Sequence, residues 1–77
     1  MSQQLLLRFD AFDQTRFDDD AETRAAAGLT LLQLWTAEGA TRWALFSVND
    51  AAKARNWLSE AGALGHGPAE SHFLRTA

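Results

Sequence analysis

The chain has 77 residues, no cysteine, two histidines, one proline and fewer positive than negative charges. Each scarcity removes a class of explanation. Without cysteine there is neither a disulfide nor a thiolate ligand, so the fold has to be held by packing. The histidines, His66 and His72, have no HxH or HxxxH spacing, which leaves a structural metal without its usual donors, and no metal or cofactor is expected. Seven Lys and Arg stand against ten Asp and Glu, for a net charge of −3. That balance disfavours phosphate backbones and anionic membranes, so neither nucleic acid nor a membrane is expected as a partner. The opening MSQQLLLRFD has only three consecutive leucines before Arg8, too short for a signal peptide or a membrane span. A soluble, cytoplasmic protein is the expectation. No solenoid-period repeat and no low-complexity tract interrupts the chain, which reads as a single domain over 1–77.

Apolar residues are plentiful, at 47% with three tryptophans. A domain this small buries only about 60% of the surface of its unfolded chain, so its stability alone is expected to be marginal. With disulfides and metals set aside, association with another chain is the remaining reinforcement.

The apolar content concentrates in Leu29 to Asn49, led in by Gly28. Leu-, Trp-, Phe- and Val-rich runs on either side of Glu38-Gly39 are the signal of a β-hairpin. Parity places Leu29, Leu31, Gln33 and Trp35 on one face of the first strand and Thr30, Leu32, Leu34 and Thr36 on the other. In the second strand Arg42, Ala44, Phe46 and Val48 oppose Thr41, Trp43, Leu45 and Ser47. A two-residue Glu38-Gly39 loop pairs Leu31 with Phe46, and an Ala37-Glu38-Gly39 loop pairs Leu31 with Leu45. In either register both faces are apolar, unlike an antiparallel sheet with one wet side. Either Trp43 and Leu45, or Phe46 and Ala44, are expected to face a second copy of the chain.

Gln4 to Phe9 reads as a strand inside the sheet, interrupted by Arg8. In DDDAETRAAAG, Asp18 or Asp19 is expected to cap a helix that ends at Gly28, with a start as early as Asp13. Its inner face runs through Phe17, Ala21, and Arg24 or Ala25. A second helix is capped by Asn49 or Asp50, carries an apolar stripe of Ala51, Ala54, Trp57, Leu58 and Ala61, turns Lys53, Asn56 and Glu60 to water, and closes at Gly62. ALGHGP is a loop and Glu70 to Thr76 a last strand. The order strand-helix-strand-strand-helix-strand predicts an α+β fold of ferredoxin-like βαββαβ type, a four-stranded antiparallel sheet with two helices on one face. The other face then requires a cover.

This order, together with RWALFSVND leading into AAKARNWLSEAG and a final HFLRT strand, resembles the dimeric α/β-barrel superfamily of small ferredoxin-like proteins. The resemblance covers nearly the whole chain. It implies a homodimer through the sheet face and an aromatic-lined pocket between sheet and helices, and it carries no catalytic residue onto this sequence.

The functional expectation is a small homodimeric module for ligand binding or assembly. The alternative is a small cofactor-free enzyme of isomerase or monooxygenase type. Its pocket would be lined by Trp35, Trp43, Phe46 and His72, with His72 or His66 as general base. Candidate ligand-binding residues are Trp35, Trp43, Arg42 and Phe46. Arg8, Arg42 and Arg75 all fall on strands and could converge on an anion; otherwise Arg42 lies beside Trp35 as a cation–aromatic pair. Asp18-Asp19-Asp20 lacks the calcium-loop spacing and reads as helix-start acids. TRWALFSV is distantly similar to the aromatic strand of RNA-recognition domains, a further alternative that the acidic charge opposes.

Overall fold

The computed structural model describes residues 3–63 and 67–76. Seven elements follow one another: β1 (Gln3–Phe9), α1 (Gln14–Asp19), α2 (Ala21–Ala26), β2 (Leu29–Thr36), β3 (Arg42–Val48), α3 (Ala51–Ala63) and β4 (Glu70–Arg75). The four strands form one antiparallel sheet in the order β2-β3-β1-β4, so the fold is α+β. The apolar β1 is central, as its near-continuous hydrophobicity predicts. Each helical connection skips a strand: α1 and α2 carry the chain past β3, and α3 carries it past β1.

Alternation decides which side of the sheet is dry. Leu5 and Leu7 of β1 and Ala44 and Phe46 of β3 are fully buried on one face, where Phe17, Ala27, Ala54 and Trp57 from the helical segments close over them. Truncating such a buried aromatic typically removes about 3–5 kcal/mol. The three helical segments therefore share the Phe46 face.

Away from its loop the hairpin keeps the Leu31–Phe46 pairing expected of a two-residue turn, whereas the loop and the pairs beside it match neither expectation. Its loop is Glu38-Gly39-Ala40, closed by the Ala37 N–H donating to the Thr41 carbonyl at 3.0 Å, with Gly39 at φ +63. Near the loop the pairs are Thr36 with Arg42, Trp35 with Trp43, Leu34 with Ala44 and Gln33 with Leu45. An irregularity between Leu31 and Gln33 then shifts the pairing, so that Leu31 meets Phe46 and Leu29 meets Val48. The extra residue, Leu32, is a β-bulge that reverses the parity of β2. Leu29, Leu31 and Leu34 consequently share the helix side, while Gln33 and Trp35 move to the side of Thr30. The uninterrupted alternation expected for this strand fails at its adjacent leucines.

Helix ends are set by local chemistry. Asp13, rather than Asp18 or Asp19, caps α1 by accepting the Arg16 N–H at 3.1 Å. Helicity breaks at Asp20, whose carboxylate accepts the Trp57 indole N–H at 3.2 Å instead of capping α2. Arg24, not Ala25 or the exposed Ala21, is the buried position of α2. Asp50 caps α3 through the Lys53 N–H at 3.1 Å. Along α3, Ala54 and Trp57 are buried, and Lys53, Asn56 and Glu60 are exposed. Gly62 does not end that helix, which continues to Ala63; its bare Cα instead lies 3.0 Å from where a side-chain Cβ on Gly67 would stand.

Gly28 ends α2 at φ +77 and accepts the Asn49 N–H at 2.7 Å, tying β2 to the end of β3. A Cβ there would stand 3.0 Å from the Asp50 amide, whereas one on Gly39 would meet nothing within 4 Å. Gly39→Ala is therefore expected to cost only the left-handed backbone penalty of about 1 kcal/mol. Gly28→Ala should cost clearly more, because its neighbour is backbone. Urea unfolding with unchanged m-values measures both; equal losses would mean that the Gly28 contact relaxes freely.

Candidate functional site

The sheet's second face has no helix over it, and the strand register lays it out as three cross-strand rows. Trp35, Trp43, Arg8 and Glu70 form one row; Gln33, Leu45, Leu6 and His72 the next; Thr30, Ser47, Gln4 and Leu74 the third. Leu32 at the bulge is 52% exposed, Trp35 44% and Leu74 44%, while Leu6, Trp43 and Leu45 are half-buried by their neighbours. The centre is therefore apolar and its aromatic corner is the Trp35–Trp43 pair. These residues come together because the bulge puts Trp35 on the same face as Trp43.

Arg8 is the polar hub of the face. Its guanidinium pairs with Asp10 through Nη1, and its Nε lies 3.2 Å from Glu70 Oε2. Nε2 of His72 lies 3.6 Å from the same Glu70 oxygen. The hydrogen bond from Arg8, reinforced by its charge, holds the Glu70 carboxyl below the usual carboxylate range, and Glu70 in turn raises Arg8. The one arginine that β1 contributes is thus occupied by Asp10, just past its own strand, and by Glu70 of β4. It joins β1 to β4 across the open face.

The candidate ligand residues divide between the two sides. Trp35 and Trp43 stand on the open face, with His72 one row away. Phe46 is fully buried on the helix side. Arg42 pairs with Thr36, donates from Nη1 to the carbonyls of Gly39 at 3.1 Å and Thr41 at 2.9 Å, and has Phe12 as its ring neighbour at 5.9 Å. It is therefore not the partner of Trp35, because the shifted register turns the two to opposite faces. The three strand arginines do not converge either: Arg42 and Arg75 pair with opposite ends of β1, at Phe9 and Gln3, and Arg8 points to the other face. His66 lies outside the described residues. His72 has a polar partner in Glu70, yet neither it nor Trp35, Trp43 or Phe46 lines the cleft formed between the helical segments and the end of β1. Asp18 and Asp20 are turned to separate tasks, accepting Gln14 Nε2 at 2.8 Å and the Trp57 indole respectively.

Comparison with protein families, with curated proteins and with solved structures returns no match. The face is therefore read from its own chemistry. No helix among the described residues is long and apolar enough to cross a membrane. The bulge and the Arg8 hub are the features that alternation alone misses. The doubled Leu31-Leu32 was the available signal for the bulge, since two adjacent leucines break a strict apolar–polar alternation.

A carboxyl whose pKa is lower folded than unfolded stabilises the fold above its unfolded pKa and loses that contribution as pH falls through the folded one. Glu70→Gln should therefore melt below the parent at neutral pH. The two melting curves should converge on acidification below the ordinary carboxylate range. A gap that persists unchanged in acid would show that Arg8–Glu70 pairing is not its source.

Proposed function

We propose that this chain is an assembly module of ferredoxin-like topology that forms a homodimer through the open face of its sheet. The topology is supported by its two split β-α-β units, each enclosing one antiparallel strand, which run β4-β1-β3-β2 when read from the β4 edge. The observation that carries the assembly reading is the uncovered apolar cluster of Trp35, Trp43, Leu45 and Leu6, beside a charged group, Arg8, already paired with Asp10 and Glu70. Apolar centres with aromatic anchors and a polar rim are the composition of interface cores. Arg8 is neutralised by Asp10 and Glu70, so the face offers no free basic charge for a phosphate chain and little charge to repel a copy of itself. A two-fold axis lets the same patch serve both partners.

The area sets the expected strength. Four strands ~4.8 Å apart, each of about seven residues at ~3.3 Å, give a plane of roughly 19 by 23 Å. That is at the small end of stable interfaces, so the dimer is expected to dissociate within the micromolar range. Sedimentation velocity across that range should show a concentration-dependent shift from one to two chains. Trp43→Glu, which leaves the Phe46 side untouched, should remain folded by circular dichroism and sediment as one chain. A parent that stays monomeric at high micromolar concentration would sink the proposal, as would an undiminished dimer of Trp43→Glu.

A further inference from the structure

We infer that the cleft between α1, α2 and α3 binds a small zwitterion, an amino acid with a large apolar side chain, whose carboxylate sits on Arg24. The cleft encloses about 600 Å³, a volume typical of small-molecule sites, and lies on the opposite side of the sheet from the proposed dimer face. Its apolar walls are Phe9 and Phe12 at the end of β1, Phe17 of α1 and Trp57 of α3. Phe9, Phe12 and Phe17 stack edge-on or tilted, with centroids 5.2 to 6.2 Å apart, forming a continuous aromatic wall.

Arg24 supplies the anchor. It is only 7% exposed, and its guanidinium lies 3.8 Å from the Phe17 ring centre with Nη1 donating to the Phe17 carbonyl at 2.7 Å. A guanidinium has five N–H donors, and this bond uses one. Arg24 joins no ion pair among the described residues. Burial lowers its pKa, an effect that the charges of Asp20 and Asp18 oppose. No fully buried side-chain nitrogen or oxygen lacks a hydrogen-bond partner among the described residues. The remaining guanidinium nitrogens are therefore not fully sealed, and Arg24 lines the cleft with its guanidinium over Phe17 and 5.8 Å from the Phe46 ring centre. Asp20 and Asp18 act on Arg24 through their charge without an ion-pair contact, so a carboxylate presented from the cleft would answer its planar fork directly.

The opposite charge is on the same walls. Asp19, Asp20 and Glu60 line the cleft from α1, its junction with α2, and α3. Asp20 is oriented by the Trp57 indole, and no partner is described for Asp19 or Glu60. The cleft's other acids are engaged, Asp10 with Arg8 and Asp13 with the Arg16 amide. A simple anion would meet the acids, and a simple cation would meet Arg24. A ligand with an ammonium, a carboxylate and an apolar body matches all three kinds of wall.

The test is a titration of the full ¹⁵N-labelled chain with L-phenylalanine and L-leucine, followed at the Trp57 indole N–H and the Arg24 Nε–H. Phenylacetate and phenethylamine are the one-charge comparators. Saturable shifts of both resonances with an amino acid, tighter than with either comparator, are the expected result. Arg24→Gln should weaken binding by about thirtyfold or more, the loss of one member of a buried charge pair. Glu60→Gln is a surface change that leaves the core intact. It should weaken the amino acid by about threefold while leaving phenylacetate unaffected. No saturable shift with either amino acid overturns the inference, and so does a comparator that binds equally well. A monomeric parent in sedimentation would leave it standing, since the cleft is built within one chain.

Discussion

Phe46 and its neighbours Leu5, Leu7 and Ala44 are sealed under three short helical segments, and the rest of the molecule follows from that packing. A chain of 77 residues has helices for one sheet face only. Burying that face commits β1 and β3 to a fixed orientation, since the side-chain period of a strand is two and a one-residue slip would exchange the sides. Leu6, Trp43 and Leu45 are thereby turned to the face that no helix covers. Apolar surface on both sides of a small sheet is thus covered by the chain on one side and left open on the other.

The bulge at Leu32 gives this arrangement its particular chemistry. Without it, Trp35 would share the side of Leu29 and Leu31. With it, Trp35 stands opposite Trp43, and the aromatic corner of the open face exists. The cost is one leucine left unpaired and exposed at an edge strand, a position where bulges commonly interrupt pairing. Polar residues around this corner are matched within the sheet through Arg8, Asp10 and Glu70. The helix side has the reverse character, for Arg24 is drawn into an aromatic wall with no carboxylate in ion-pair contact. Two surfaces with different chemistry are therefore separated by a single sheet: one apolar with its charges paired, the other a cleft lined by a buried arginine and several acids.

Asp20 shows how a polar side chain couples the layers. Its carboxylate is lost to helix capping and gained by Trp57, linking the α1–α2 junction to α3. That exchange breaks the helix read from DDDAETRAAAG and helps to shape the cleft. Asp13 takes over the capping role at α1. The same residue type serves both as a local stop signal and as a long-range tie, and only its distant partner distinguishes the two.

Signals that act within a few residues were legible in the sequence: the four strands, the stripe of α3 through Ala54 and Trp57, the Asp50 cap, Gly28 at the end of α2, and the apolar character of both hairpin faces. They are legible because capping, backbone freedom and side-chain period are properties of neighbouring residues. The facing of Trp43 and Leu45 away from the helices, the bulge at Leu32, the diversion of Asp20, the Arg8 hub and the exposure of Arg24 to a cleft were decided only by the tertiary structure. They depend on partners distant in the chain, His72 for Leu6, Glu70 for Arg8 and Asp20 for Trp57, or on which side of one sheet the helices settle. Composition showed that the chain had more apolar surface than one core could hold. Where the surplus went was a matter of packing, because helices can cover a sheet from one side while the strand pattern is written for both.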